Sequence, residues 1–284
     1  MNPHENITVY SPESGLKRPG YLLKAMLKDL RNSRELAWRL FLRNLSAMYR
    51  QSVLGIVWAF IPPLLTALVW VFLNSQRVIN IESPGIPYPA FVLTSVLLWS
   101  VFAQALLAPL TAVMQGKSIF VKINFPREAL ILSGFLQVAF DFLVKLVLIV
   151  IVLIVFKVTL APTAWLALLG VFSLVALGMA LGMIVLPIGM LYTDIQKLIM
   201  AITPFWMLLT PVIYPAPREG LATLLNRFNP VSPLLNTTRD WLFVGSSEFA
   251  SAFFWITGGS LILLFAGLLL FRLAMPIIVE RSGS

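Results

Sequence analysis

Long apolar runs with almost no charge inside them constrain this chain more than any other feature. Six stand out: Val53–Leu73, Pro89–Met114, Ala129–Phe156, Trp165–Leu191, Leu198–Ile213 and Phe249–Phe271. An α-helix rises 1.5 Å per residue, so about 20 apolar residues cross a hydrocarbon layer ~30 Å thick. Backbone polar groups cannot be left unpaired in lipid, and the alternation that barrel strands need is absent, so each run predicts a helix. The second run carries Gln104 and a late Pro109, which predicts a bend near that end. The fifth is short and holds Pro204 and Pro211, which predicts a kink. Of 284 residues, 59% are hydrophobic and 12% charged, whereas a soluble domain is nearer ~25% charged. The expected fold is therefore an all-α integral membrane protein with six transmembrane helices.

Two absences narrow the chemistry. There is no cysteine, and the one histidine is His4 in a polar tail. Disulfide scaffolds, thiolate metal sites and cysteine nucleophiles are excluded, and with them most enzyme mechanisms. The net charge is +9, and nine of the Lys and Arg residues fall in residues 1–50. Apolar sequence follows at once, so the basic residues mark a membrane side rather than a nucleic-acid partner. With both termini inside, inner segments carry fifteen basic residues and outer loops five, namely Arg77, Lys157, Arg218, Arg227 and Arg239, with Lys145 inside the third run. Cytoplasmic termini are expected. Residues 1–32 lack the apolar core of a cleavable signal peptide. The organisation expected is a tail over 1–32, an amphipathic helix over 33–51, a transmembrane domain over 52–275 and a tail over 276–284.

Within the amphipathic segment, Glu35, Arg39, Arg43, Ser46 and Arg50 recur every three or four positions, opposite Ala37, Phe41, Leu45 and Met48. Such a helix, directly before a span, is expected in the headgroup plane; packing on a partner in the cytosol is the alternative. In the stretch 214–248, Leu221–Phe228 and Val231–Phe243 are too short to cross and are separated by Asn229-Pro230. They are expected to be re-entrant helices dipping into the outer leaflet, because an ordinary surface loop would expose Leu224, Leu225, Leu234, Leu235, Trp241 and Phe243.

No nucleotide site is present. Gly116-Lys117-Ser118 imitates the end of a phosphate-binding loop, but the glycine required earlier is Thr111, and Leu132-Ser133-Gly134 continues into a span. Asp141 and Lys145, four apart in the third run, share a helix face. An isolated charge at the bilayer centre costs roughly 2.5–3.5 kcal/mol, so they must face protein or water. A self-neutralising pair, a proton-coupling carboxylate and a contact along a conduit remain open. Trp and Tyr near span ends, among them Trp58 and Tyr214, suit an interfacial belt, and aromatic faces also stack on sugar rings. Conduit candidates are Trp58, Phe60, Asp141, Lys145, Phe205, Trp206 and Tyr214.

Four segments together resemble one family. The run Tyr49-Arg50-Gln51-Ser52-Val53-Leu54-Gly55-Ile56-Val57-Trp58-Ala59, ending in Pro62-Pro63, is similar to the start of the first span of ABC-2 type permeases, in particular exporters of O-antigen, capsule and teichoic-acid polymers. Lys122-Ile123-Asn124-Phe125-Pro126-Arg127-Glu128 resembles that family's first coupling segment and Tyr192-Thr193-Asp194-Ile195-Gln196-Lys197 its second inner loop, where Arg is frequent at the place of Thr193. Asn229-Pro230 followed by Arg239-Asp240 resembles its outer hairpin.

The resemblance implies a homodimer in the bacterial inner membrane. Two separate ATPase subunits would bind ATP and Mg and drive a lipid-linked polysaccharide, on undecaprenyl pyrophosphate, outward; this chain would bind no cofactor. Lys117, Lys122, Phe125, Pro126, Arg127, Glu128, Asp194 and Lys197 would couple to the ATPase. Arg39, Arg43 and Arg50 would meet the pyrophosphate, unless they only anchor topology, and Asn229, Pro230 and Arg239 would form an outer gate. A permease for drugs or lipids, a proton-driven transporter using Asp141, and a membrane enzyme are the alternatives; the last lacks an acid/base pair or a nucleophile with its base near an interface.

Overall fold

The computed structural model describes residues 29–50, 52–81, 85–120, 126–217 and 219–282, and among them the chain is helical with no strand. The helices are α1 (Arg34–Tyr49), α2 (Ile61–Ser75), α3 (Tyr88–Phe120), α4 (Glu128–Val155), α5 (Ala167–Leu191), α6 (Asp194–Leu209), α7 (Leu221–Phe228), α8 (Val231–Phe243) and α9 (Ala250–Ser282). Short 3-10 turns occupy Gly55–Ala59 and Ala164–Leu166. Four segments are long and apolar enough to cross a membrane: Tyr88–Gly116, Glu128–Val155, Ala164–Leu191 and Ala250–Met275. The molecule is a multi-pass membrane protein.

Burial separates the core from its jacket. The apolar windows of α3 and α5 are 72% and 67% buried inside the protein, against 33% for α4 and 22% for α9. α5 packs on α3 on one side and α9 on the other, while α4 packs on α3, and α1 on α4. What brings α3 and α5 together is a pair of glycines one turn apart. A Cβ at Gly178 would sit 2.8 Å from the Phe102 carbonyl oxygen, and one at Gly182 would overlap the Leu106 carbonyl, with the Pro109 ring 3.1 Å away. Small residues at this spacing let backbones approach directly, which matters where no hydrophobic force drives helices together. Because Gly178 meets Phe102 and Ala105 while Gly189 meets Leu110, α3 and α5 run parallel, and their last turns lie at the same end.

Three of the apolar runs differ from their expected form. The first does not form one helix: a 3-10 turn precedes α2, which starts at Ile61 with Pro62 at its second position. Proline has no N–H to donate and its ring clashes with the carbonyl four residues back, so a helix begins at Pro62-Pro63 rather than running through them. The fifth starts at Asp194, carries Pro204 inside, and stops at Leu209, with Thr210 extended at φ −100°, ψ 141°. Thr210 precedes Pro211, which disfavours the helical region for it. Pro109 lies inside α3 as expected of the second run, with its ring beside Gly182. The last helix continues past residue 275 to Ser282. By contrast, α7 and α8 have the expected bounds.

The two ends of the bundle are fastened differently. At the end where α3 leads toward α4, Arg272 of α9 donates to Asp29 Oδ2 at 2.7 Å and lies 3.5 Å from Glu128 Oε1. At the other end α8 is buried along most of its length. There Thr163 Oγ1 donates to the Trp241 and Gly245 carbonyls, both at 3.0 Å, and the Tyr88 hydroxyl to the Ile213 carbonyl at 3.1 Å.

Candidate functional site

Polar residues inside the apolar runs fall on two facing stripes. Ser100, Gln104, Thr111 and Gln115 share one face of α3, and Ser133, Gln137, Asp141 and Lys145 recur every four residues on α4. The stripes line a cleft of about 1020 Å³, completed by Arg43 and Asn44 of α1 and by Ala59, Pro62 and Pro63 where α2 begins. From Ser100 to Gln115 the stripe extends roughly 22 Å along the helix, about three quarters of a hydrocarbon layer.

The two buried charges differ in reach. Asp141 and Lys145 are 4% and 6% exposed, but Lys145 Nζ donates across the cleft to Gln104 Oε1 at 3.0 Å, and no ion pair within 4 Å joins it to Asp141. The short aspartate side chain reaches little beyond its own turn, while the long lysine stem spans to α3. One turn before Asp141, Gln137 presents its side-chain amide, with Nε2 buried, on the same helix face. Tyr49, at the end of α1, has its phenol pushed above the ordinary value, first by burial and then by the Asp141 charge, so it remains a neutral hydroxyl.

Of the three arginines assigned to a pyrophosphate, only Arg43 lines the cleft, its Nη2 2.9 Å from Asn44 Oδ1. Arg39 is exposed and paired with Glu35 at 2.6 Å, and Arg50 is exposed beyond the last turn of α1. The buried stripe of α1 is Ala37, Leu40 and Phe41, with Phe41 6.0 Å from the Phe140 ring of α4; Met48, expected on that stripe, is exposed. Contact with α4 sets this rotation.

The candidate aromatics do not gather at the cleft. Trp58 is 55% exposed on the 3-10 turn beside it, Phe60 is half-buried, and Phe205 is 70% exposed on α6. Trp206 packs edge-on against Phe102 at 5.2 Å and donates through Nε1 to Asn229 Oδ1 at 3.1 Å, while the Tyr214 hydroxyl donates to the Leu208 carbonyl at 2.9 Å. The residues assigned to an outer gate act as fasteners in this conformation. Asn229 Nδ2 donates to Thr210 Oγ1 at 2.8 Å, and Pro230 caps α8. Arg239, counted above as an outer-loop charge, is 5% exposed. It donates to Asn236 Oδ1 at 2.7 Å, the Pro211 carbonyl at 3.1 Å and Ser95 Oγ at 3.3 Å, and lies 4.2 Å over the Phe91 ring.

Residues 35–243 match the ABC-2 type transporter family. The chain belongs to that family. It is 27% identical over 217 residues to the O-antigen export system permease protein RfbA of Myxococcus xanthus, covering 75% of this chain and 82% of the relative. Two proteins of the same description from Klebsiella pneumoniae are 24% and 23% identical, covering 73% and 81% of this chain and 80% and 88% of their own lengths. The matched stretch of this ABC-2 permease runs from α1 to α8 and so includes every residue of the cleft.

The residues assigned to ATPase coupling divide into two kinds. Asp194 and Lys197 stand exposed at the start of α6, 3.2 Å apart, at the same end of the permease as the last turn of α3, which contains Lys117. Glu128, by contrast, is 7% exposed and faces Arg272, so it joins helices instead of presenting a surface. Pro126 and Arg127 lie half-buried just before it; Lys122 and Phe125 lie outside the described residues. Sequence reasoning missed Gln104, Gln115 and Gln137, the Arg272 cluster and the glycine pair. Amides at helical spacing inside apolar runs, and Gly178-Met-Ala-Leu-Gly182 itself, were the available signals.

Proposed function

We propose that this chain is the transmembrane subunit of an ATP-driven exporter that moves a lipid-linked, O-antigen-type polysaccharide from cytoplasm to periplasm across the bacterial inner membrane. The observation that carries the reading is the ABC-2 match over residues 35–243 together with the similarity to three relatives described as O-antigen export permeases. On this reading two copies pair, and two ATPase subunits that hold ATP and Mg dock at the end carrying Asp194 and Lys197.

Six crossings follow if the 3-10 turn with α2 makes the first and α6 with residues 210–213 the fifth, both termini then being cytoplasmic. α2 alone, at 15 residues, spans only ~22 Å, and the preceding turn supplies the remainder. α7 and α8 then lie in the outer leaflet as re-entrant helices: α8 is shielded by protein, and α7 exposes Leu221, Leu224 and Phe228, suited to lipid. On α6, Leu198, Ile202, Phe205 and Leu209 form one exposed apolar face, which suits a second copy. ATP-driven closure of the docked subunits would push on the loops after α3 and before α6, tilting the cleft walls.

The test is deletion with complementation. Cells lacking this chain should accumulate undecaprenyl-linked polysaccharide on the cytoplasmic leaflet and lose it from the surface, and the intact chain should reverse both. Normal surface polysaccharide in the deletion strain contradicts the proposal.

A further inference from the structure

The cleft between α1, α2, α3 and α4 holds more polar chemistry than packing requires. Two cations, Arg43 at one lip and Lys145 at depth, stand against one acid, Asp141. Between them lie three glutamine amides, Gln104, Gln115 and Gln137, of which only Gln104 makes a side-chain hydrogen bond across the cleft among the described residues. Amide side chains facing a cleft inside a bilayer are costly unless water or a polar ligand meets them, and an excess of positive charge adds a preference for an anion. The lip is apolar where Ala59, Pro62 and Pro63 meet Met48, which suits a hydrocarbon chain. The volume, about 1020 Å³, is at the top of the ~300–1,000 Å³ range of small-ligand clefts.

We infer that this cleft, formed within one protomer, holds the phosphate-and-sugar head of the lipid-linked cargo before it moves. Lys145, presented by its bond to Gln104, is the deep anchor for a phosphate oxygen or a sugar hydroxyl, and Arg43 guards the mouth. The amides alternate donors and acceptors along the walls, the pattern that vicinal hydroxyls match, and the prenyl chain leaves over the apolar lip. This rests on the exporter reading. The same chemistry, phosphate beside hydroxyls, occurs in an ordinary phosphatidylglycerol headgroup, so the experiment must separate the two sources.

The full chain in phosphatidylcholine nanodiscs is titrated with a fluorescent short-prenyl pyrophosphoryl sugar, and with the prenol of the same length. Lys145→Met and Gln104→Leu should each weaken binding of the pyrophosphoryl sugar at least tenfold, Lys145→Arg should stay within threefold of the parent, and Arg227→Gln, on exposed α7, should change nothing. The prenol should bind weakly and be indifferent to Lys145→Met, and phosphatidylglycerol should displace the probe only at large excess. Where Lys145→Met fails to fold, Gln115→Leu carries the same expected loss. Undiminished binding in the cleft variants overturns the inference, as does displacement by phosphatidylglycerol at equal concentration. ATP-dependent export by the parent chain together with its partner ATPase, measured beside these, separates the two claims: export with undiminished variant binding removes the cleft and leaves the exporter, while no export although the ATPase turns over removes the exporter.

Discussion

Replacing Gly182 with alanine tests the packing that holds the cleft wall in place. A Cβ there would fall roughly 1 Å inside ordinary van der Waals distance of the Leu106 carbonyl oxygen. That atom belongs to the backbone of α3 and cannot rotate away, so α3 and α5 must separate or shift. Overpacking costs about 1–3 kcal/mol, and a rigid obstacle argues for the upper end. Against it, alanine is favoured over glycine within a helix by about 1 kcal/mol, leaving a net loss near ~2 kcal/mol. Gly258 of α9 is the control, because a Cβ there meets nothing within 4 Å; Gly258→Ala should be neutral or slightly stabilising. Reversible unfolding of both purified variants in mild detergent measures the difference. About 2 kcal/mol is close to a thirtyfold change in the unfolding constant. Equal stability of Gly182→Ala and Gly258→Ala would refute the direct backbone contact.

Three further outcomes are expected. Arg272→Met leaves the carboxylates of Asp29 and Glu128 without their shared cation and should cost about 3 kcal/mol, whereas Lys197→Met, which breaks an exposed pair, should stay within ~0.5 kcal/mol; equal losses in the same unfolding assay would contradict the buried cluster. Arg239→Met strips a donor from Ser95, the Pro211 carbonyl and Asn236 and should cost about 3 kcal/mol, with Arg239→Lys losing less; native-state proteolysis of the α7–α8 segment reads the effect, and an unchanged cleavage rate would oppose it. Asp194→Lys should leave stability unaltered yet lower ATP-driven export at least tenfold in proteoliposomes, because the exposed start of α6 is assigned to the ATPase; normal export would withdraw that assignment.

Much of the fold was legible because lipid leaves the backbone so few options. Four of the apolar runs became long helices, and Leu221–Phe228 and Val231–Phe243 emerged with their expected bounds since Asn229-Pro230 punctuates them. Proline decided two discrepancies: Pro62-Pro63 set where α2 starts and Pro211 where α6 stops. The site was legible in part. Asp141, Lys145 and Arg43 were singled out and meet in one cleft, but the bond from Lys145 to Gln104 joins residues 41 apart in sequence, and no local spacing announces it. The burial of Glu128 and Arg239 was hidden for the same reason. Their chains looked like loop charges until the distant partners Arg272, Ser95 and Pro211 came into view.

Transport by purified components gives the most direct measurement. Proteoliposomes containing this chain and its partner ATPase, loaded with a lipid-linked glycan in the outer leaflet beside the ATPase, should move the glycan head into the lumen only when both proteins and ATP-Mg are present. Movement by this chain alone on a proton gradient, or none with the complete set of components while the ATPase turns over, would contradict its role as the membrane path of an ATP-driven exporter.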